Sequence, residues 1–251
     1  MIKYLHPELE FDCNWRKKII AEQDPKSFAN LIDSTNLKQN VSTNEIEKLC
    51  QEAITFQFRS VCIPPTYVKK AAEMLKNTNV RICTVIGFPL GYHSTTSKLI
   101  EVEEVIDDVH ELDFVQNVTF VKNGDYDALK REFSAIMTVA QERLVKVILE
   151  TALLTADEIY KCSLLAAHSG IHVIKTTTGF STRGASLEDI EIIKNALNGY
   201  QQETGNVVGI KASGGVRSLA DAFIFIKAGA TRIGTSGGAD IVQGRFSHSM
   251  Y

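Results

Sequence analysis

The feature of this sequence that most limits its fold is a regular alternation of short apolar runs with helical patterns. Eight apolar, β-rich runs follow one another along the chain: Phe28–Asp33, Arg59–Ile63, Val80–Ile86, Leu112–Val118, Leu144–Thr151, His172–Thr176, Val207–Ala212 and Thr231–Gly234. Runs of this kind are typical of parallel strands that are covered by helices on both faces. Between them, apolar residues recur at helical spacing across Asn44–Phe56, Lys98–His110 and Leu187–Tyr200. The sequence therefore predicts an α/β fold.

Cap residues agree with these helices. Four helix starts carry a hydroxyl residue followed three positions later by an acid, a pattern that satisfies N–H groups of the first turn: Ser42/Glu45, Thr155/Glu158, Ser186/Asp189 and Ser218/Asp221. Gly170, Gly205 and Gly229 fall where helices should end. Eight strand–helix units in 251 residues favour a closed (β/α)8 TIM barrel over an open doubly wound sheet, and no GxGxxG motif follows the first strand.

We predict a single barrel domain over residues 1–251. It carries a short N-terminal helical extension over residues 1–27, with a helix near Asn14–Glu22, and a flexible C-terminal tail over residues 242–251. The extension is typical of a segment that caps the barrel or contacts a second copy, so a homodimer is an expectation.

Composition excludes several classes of partner. The chain is 44% hydrophobic and 23% charged with a net charge of −3, and no basic block suggests nucleic acid. No apolar run approaches the roughly 18 residues of a membrane span, and the N-terminus lacks a signal-peptide core. Five cysteines without a CxxC motif favour reduced thiols and a cytoplasmic location. The six histidines are scattered outside any HExxH motif, so no metal site is expected.

Two lysines at strand ends are the strongest candidates for chemistry, because a (β/α)8 barrel places its active site at the C-terminal ends of its strands. Lys175 ends the sixth run and Lys211 the seventh, and strand alternation can direct both inwards. Burial and mutual repulsion then favour a neutral amine, which forms a Schiff base with a carbonyl substrate. Asp113 on the fourth strand is placed to move protons. Lys146 lies on the same face of the fifth strand as Glu150, but further from the strand end. We interpret it as a supporting charge at the site.

Glycine-rich turns follow the sixth, seventh and eighth strands, where this barrel usually binds phosphate. They are Thr178-Gly-Phe-Ser181, Ser213-Gly-Gly-Val216 and Gly234-Thr-Ser-Gly-Gly238. Glycine lets backbone N–H groups approach an anion closely, although ordinary turns also need glycine. Three such turns at consecutive strand ends favour a phosphorylated substrate.

The chain also resembles a known family, the deoxyribose-phosphate aldolases, from about Leu31 to Ile241. The motifs that carry the resemblance are Ser60-Val-Cys-Ile-Pro-Pro65, Val80-Arg-Ile-Cys-Thr-Val-Ile-Gly-Phe-Pro-Leu-Gly91, Leu144-Val-Lys-Val-Ile-Leu-Glu-Thr151, Ile174-Lys-Thr-Thr-Thr-Gly-Phe180, Val208-Gly-Ile-Lys-Ala-Ser-Gly-Gly-Val-Arg217 and Arg232-Ile-Gly-Thr-Ser236. The resemblance implies a class I aldolase of deoxyribonucleoside catabolism that needs no cofactor. It would interconvert 2-deoxy-D-ribose 5-phosphate with D-glyceraldehyde 3-phosphate and acetaldehyde.

The resemblance also implies residue roles. Lys175 matches the Schiff-base lysine, Lys211 the lysine that perturbs it, and Asp113 the proton-relay aspartate. The C-terminal Tyr251 matches a tyrosine that, in some longer members, folds over the site to move a proton at the substrate C2; a disordered terminus is the alternative. The positions expected to bind substrate or line its pocket are Asp33, Cys62, Lys146, Thr178, Gly179, Gly214, Gly215, Ser236 and Gly237.

Departures from the family pattern keep two alternatives open. The first strand ends Ile32-Asp-Ser-Thr-Asn-Leu37, where many members read IDHTLL, and Thr119 follows the fourth strand where a small residue is common. One alternative is an aldolase or isomerase for another phosphorylated sugar. The other is a non-catalytic binding protein that keeps the phosphate pocket, against which Lys175, Lys211 and Asp113 argue.

Overall fold

Eight parallel strands close into a barrel in the computed structural model, which describes residues 2–22 and 24–248. The strands are β1 (Ile32–Thr35), β2 (Ser60–Ile63), β3 (Arg81–Ile86), β4 (Glu111–Val115), β5 (Leu144–Ile148), β6 (Val173–Lys175), β7 (Gly209–Ser213) and β8 (Arg232–Thr235). Each strand pairs with the next along the chain, and β8 pairs with both β7 and β1. The predicted (β/α)8 TIM barrel is confirmed.

Helices lie before the first barrel strand, between successive strands and after the last strand. They are α1 (Pro7–Glu22), α2 (Thr43–Phe56), α3 (Val68–Leu75), α4 (Thr95–Val105), α5 (Val118–Lys122), α6 (Tyr126–Val139), α7 (Ala156–His168), α8 (Leu187–Thr204), α9 (Leu219–Ala228) and α10 (Gly238–Val242). All four predicted capping boxes form with both of their hydrogen bonds. Gly205 and Gly229 cap α8 and α9 as predicted, whereas α7 ends at His168 with Ser169 as its C-cap, and Gly170 comes next.

The first predicted strand was wrong over most of its length. Pro25–Leu31 forms a 3-10 helix, and β1 begins only at Ile32. Asp24 caps this turn by accepting a hydrogen bond from the Lys26 amide, and proline suits the first helical position. Because Phe28 and Leu31 are buried, the run is apolar in either conformation, and a short apolar run does not separate strand from helix.

A second boundary differs near β7. Residues Asn206–Val207 do not extend β7 but pair with Lys3–Tyr4 in a separate two-stranded sheet. The first strand of this small sheet, Lys3–Tyr4, comes just before α1. Leu9 of α1 packs against Leu144 and Val173 inside the barrel. The N-terminal extension therefore packs across the N-terminal end of the barrel.

The main apolar core lies between the strands and the surrounding helices, and it takes in Ile19, Phe114 and Phe133 among many others. The segment after α10 also packs on the barrel, since Ser247 is buried and its amide donates to the Arg217 carbonyl. Among the described helices, none has both the length and the apolarity that crossing a bilayer requires.

Candidate active site

Strand register brings the two predicted lysines to one level of the barrel interior. Lys175 and Lys211 are paired across β6 and β7, and Asp113 is paired with Lys146 across β4 and β5. All four side chains are buried. The alternation of side chains along neighbouring strands thus directs four charged groups to one point on the barrel axis.

Asp113 is the centre of this group. Its Oδ2 lies 2.8 Å from Nζ of Lys175 and 2.8 Å from Nζ of Lys211, and its Oδ1 lies 2.7 Å from Nζ of Lys146. Burial alone would raise the pKa of Asp113. The charges of the three lysines outweigh burial and hold that pKa well below its usual range. Asp113 is therefore a carboxylate that three amines share.

A second set of ion pairs lies beneath this centre. Lys211 is 2.5 Å from Asp33, Lys146 is 2.6 Å from Glu111, and Arg232 is 2.7 Å from Asp33 and 3.2 Å from Glu111. Burial lowers the pKa of Lys211, but the carboxylates of Asp113 and Asp33 raise it well above its usual value. Asp33, expected to line the pocket, is in the structure a bridge between Lys211 and Arg232.

The three lysines differ in how many carboxylates they contact. Among the described residues, Lys146 has three carboxylates within 3.9 Å and Lys211 has two, whereas Lys175 has Asp113 alone, which it shares with both. Its side chain is also the most accessible of the three, at 3% against 0% and 1%. Lys175 is therefore the amine with the least carboxylate compensation and the nearest to the opening.

Two thiols form part of the wall beside Asp113. Cys62 and Cys83 are paired across β2 and β3, and the Cys83 thiol donates to Asp113 Oδ1 at 3.1 Å. Cys62, Cys83 and Asp113 offer ligand atoms within 4.8 Å of one another. Because Lys146, Lys175 and Lys211 all contact that carboxylate, their charges oppose a divalent cation there. Cys83 was missed in the sequence, although it lies in the Val80–Gly91 motif and opposite Cys62.

Apolar side chains continue this wall towards the rim. Phe88 packs on a cluster of four buried residues, Leu37, Cys62, Cys83 and Val85. The ring of Phe88 also meets that of Phe180 edge-on at 5.3 Å. One side of the charged centre is thus apolar. Ser34 is not part of it, because Ser34 follows the inward-facing Asp33 in β1 and points to the opposite face.

A cavity of about 310 Å³ opens between the turns after β6, β7 and β8. It is lined by Gly179, Ser181, Thr182, Arg183, Gly184, Gly214, Gly215, Val216, Arg217, Thr235 and Ser236. Gly179, Gly214 and Gly215 have φ angles of +86°, +86° and +79°, which side chains with a Cβ rarely adopt. The glycine turns predicted to bind phosphate therefore do meet at one cavity.

The backbone amides of these glycines are not equivalent. The amide of Gly179 donates to the Thr177 hydroxyl at 3.1 Å, and that of Gly237 donates to the Thr235 hydroxyl at 3.0 Å. For the amides of Gly214 and Gly215, no acceptor is found within the described residues 2–22 and 24–248. Those two amides are the ones available to an anion.

Two arginines at this cavity were missed as site residues. Arg183 is held by both carboxylate oxygens of Asp189, at 2.6 and 2.9 Å, and donates to the Thr151 carbonyl. Arg217 is exposed, and across the described part of the chain its guanidinium has no acidic partner. The signal for Arg217 was present, since it closes the motif that contains Gly214 and Gly215.

Comparison with known proteins agrees with this geometry. A family model described as DeoC/LacD family aldolase matches residues 27–244. A deoxyribose-phosphate aldolase of Staphylococcus carnosus (strain TM300) is 43% identical over 225 residues, covering 89% of this chain and 99% of the relative. One of Clostridium perfringens (strain 13 / Type A) is 44% identical over 230 residues, covering 91% of this chain and 100% of the relative.

Among solved structures, a deoxyribose phosphate aldolase from Aeropyrum pernix, titled a unique tetrameric structure, matches with a TM-score of 0.81. It is 30% identical and covers 91% of this chain and 95% of its own. The chain belongs to the DeoC/LacD aldolase family. The family resemblance predicted from the motifs is thereby confirmed.

The remaining predicted positions lie inside and outside the residues that the family model matches. The match begins at residue 27, so α1 precedes it. Thr178, which is expected to bind substrate, donates its hydroxyl to Glu150 Oε2 at 2.5 Å, and this hydrogen bond holds the turn after β6. Gly237 abuts the buried Ser247. Tyr251 lies outside the described residues.

Proposed function

We propose that this chain is a deoxyribose-phosphate aldolase, which reversibly cleaves 2-deoxy-D-ribose 5-phosphate to D-glyceraldehyde 3-phosphate and acetaldehyde. The observation that carries the proposal is Lys175, a buried amine at a strand end that shares Asp113 with Lys211 beside a glycine-lined cavity. The printed names of relatives that match 89–91% of the chain support the same activity.

In the cleavage direction, the neutral amine of Lys175 attacks the C1 aldehyde of the open-chain sugar. The carbinolamine loses water to give an iminium, and Asp113, 2.8 Å from Lys175, moves the protons of these steps. The C3 hydroxyl then loses its proton, and the C2–C3 bond breaks. Its electron pair passes to the iminium, which leaves an enamine and D-glyceraldehyde 3-phosphate. Protonation of the enamine at C2 and hydrolysis release acetaldehyde and restore Lys175.

The other two lysines keep their protons in this mechanism. Carboxylates raise the pKa of both Lys211 and Lys146. Lys211 therefore presents a fixed positive charge beside Lys175, which stabilises the oxyanion that develops as the amine adds to the carbonyl. Lys146 keeps Asp113 ionised from the opposite side.

The two ends of the substrate meet different surroundings. The phosphate lies in the 310 Å³ cavity, where the amides of Gly214 and Gly215 and the guanidinium of Arg217 contact it. The unsubstituted C2 methylene faces the apolar wall that includes Leu37, Val85 and Phe88. The side chains of Leu37, Val85 and Phe88 carry no hydrogen-bonding group that a 2-hydroxyl could use, so this part of the site favours a 2-deoxy sugar.

Trapping the Schiff base tests the proposal directly. The purified chain is incubated with acetaldehyde and borohydride, then digested and analysed by mass spectrometry. We expect a two-carbon adduct on Lys175 that is absent from Lys175→Leu. An adduct on Lys211, or none, would overturn the assignment. Cleavage assays with 2-deoxyribose 5-phosphate, ribose 5-phosphate and fructose phosphates then establish the substrate.

Three further expectations belong to this proposal. Removal of Tyr251 is expected to slow exchange of the acetaldehyde methyl protons with solvent, and unchanged exchange would refute its role. The homodimer stays a prediction that light scattering in solution measures. The cytoplasmic location is supported by the five free thiols and is measured by cell fractionation.

A further inference from the structure

Arg232 lies at the first position of β8, at the opposite end of the strand from the glycine turns. It is fully buried, and its guanidinium contacts carboxylates from three different elements. Nε is 2.9 Å from Asp12 of α1, Nη1 is 2.7 Å from Asp33 of β1, and both terminal nitrogens lie 3.2–3.3 Å from Glu111 of β4. A planar fork of donors suits three acceptors in this way better than the point charge of a lysine.

Two of these carboxylates hold lysines of the reaction centre. Asp33 contacts Lys211 at 2.5 Å, and Glu111 contacts Lys146 at 2.6 Å. Arg232 is therefore separated by one carboxylate from each amine that flanks Lys175. Moving Arg232 shifts the carboxylates that set where Lys211 and Lys146 point.

We propose that Arg232 is a positioning residue for the aldolase reaction and that Asp12 of α1 anchors it. The inference rests on the proposed function, because it assigns a role in that reaction. It also gives the N-terminal extension a part in catalysis, although α1 precedes the residues that the family model matches.

Charge pairing explains why the anchor is needed. Arg232, Lys146, Lys175 and Lys211 face Asp12, Asp33, Glu111 and Asp113 in a buried column, and Arg59 also lies 3.4 Å from Asp12. Burial raises the pKa of Asp12 to about 7, although the charge of Arg232 acts in the opposite direction. The charge of Asp12 thus depends on Arg232, whereas the pKa of Arg232 is raised well above its usual value and its charge is fixed. Without Asp12, Arg232 pairs more strongly with Asp33 and Glu111, and this weakens the ion pairs of those two carboxylates with Lys211 and Lys146.

The test uses the full chain with two variants and one matched control. Arg232→Lys keeps the positive charge but loses the fork, and Asp12→Asn keeps the shape but loses the charge. The control is Glu8→Gln on the same helix, because Glu8 pairs with Arg59 and Arg81 and is linked to Arg232 only indirectly, through Arg59 and Asp12. We measure kcat and KM for 2-deoxyribose 5-phosphate cleavage, the rate of acetaldehyde adduct formation, and the Tm.

We expect both variants to lower kcat and adduct formation between about 10-fold and 100-fold, as small misplacements of reacting groups do. KM should stay within about threefold, because the phosphate cavity is at the other end of the barrel. Glu8→Gln should lower the Tm with kcat nearly unchanged, and Asp12→Glu should recover part of the kcat lost in Asp12→Asn.

Two results would overturn the positioning role: a wild-type kcat in both variants, or a loss of kcat that Glu8→Gln matches at an equal Tm. If Arg232→Lys fails to fold, the isosteric Asp12→Asn decides by the same criteria. A wild-type chain that forms no acetaldehyde adduct and cleaves no sugar phosphate overturns the proposed function instead. Wild-type activity with unaffected variants overturns only the role of Arg232 and Asp12.

Discussion

The barrel interior and the cavity above it handle charge in opposite ways. In the interior, Asp113 is fully buried, and its carboxylate oxygens lie 2.7–2.8 Å from the ammonium nitrogens of three lysines. In the cavity, the groups available to an anion include the amides of Gly214 and Gly215 and the exposed Arg217. The interior holds a closed set of charges that already satisfy one another, whereas the cavity keeps positive groups unpaired. The first arrangement suits proton transfer and the second suits ligand binding.

This contrast predicts different kinetic effects for substitutions in the two regions. Interior changes should lower kcat and adduct formation, because they alter the reacting groups. Cavity changes should raise KM for the phosphorylated sugar and leave acetaldehyde adducts intact, because acetaldehyde carries no phosphate.

The largest effect is expected for Lys175→Leu. Removing a covalent nucleophile lowers kcat by a factor on the order of 10⁴ or more in other enzymes, and we expect the same here. The fold should survive, because Asp113 still has Lys146 and Lys211 as partners. A coupled assay for glyceraldehyde 3-phosphate measures the loss. Substantial activity in a correctly folded Lys175→Leu would place the nucleophile elsewhere.

Acid should destabilise the interior next. The pKa values of Asp113 and Asp33 are lowered in the folded chain, so the ionised carboxylates stabilise it above the unfolded value of about 3.9. That stability is lost as the pH falls through the lower folded values. The raised pKa of Lys211 acts at the other extreme, since its contribution is complete below about 10.4 and is lost only at higher pH.

Urea unfolding at a series of pH values measures this dependence. Asp113→Asn should lower the free energy of unfolding at neutral pH by about 3–5 kcal/mol, because it leaves buried ammonium groups without their shared partner. The same variant should show a shallower loss of stability below pH 4. An acid dependence identical to that of the wild type would mean that Asp113 does not carry this stability.

A cavity substitution should have a smaller and different effect. Arg217→Gln removes a charge-assisted hydrogen bond to phosphate, worth about 1.5–3 kcal/mol, so we expect KM to rise between about 10-fold and 100-fold. Adduct formation with acetaldehyde should be unchanged, and Arg217→Lys should recover part of the affinity. Steady-state assays with the sugar phosphate measure KM. Slower adduct formation in Arg217→Gln would remove the separation between the two regions.

The sequence allowed the upper half of the interior to be predicted, because strand parity and strand ends suffice to place Lys175, Lys211 and Asp113. It did not lead to Arg232, because Arg232 stands at the start of β8 and the active sites of such barrels lie at the C-terminal ends of the strands. A long side chain reaches along the barrel axis, which residue position alone does not reveal. Nor did the apolar run containing Phe28 and Leu31 indicate a 3-10 helix, since burial gives both conformations the same composition.

The smallest effect should come from Arg183→Gln, which tests how the cavity selects its cations. Arg183 lines the same cavity as Arg217, but both oxygens of Asp189 already hold it at 2.6 and 2.9 Å. A guanidinium neutralised in this way offers little net charge to a phosphate, so its main task is to tie the turn after β6 to the start of α8. We expect KM to change by less than about threefold and the Tm to fall slightly. A rise in KM equal to that of Arg217→Gln would show that Arg183 binds phosphate although it pairs with Asp189. The distinction between paired and unpaired arginines would then not hold within this cavity.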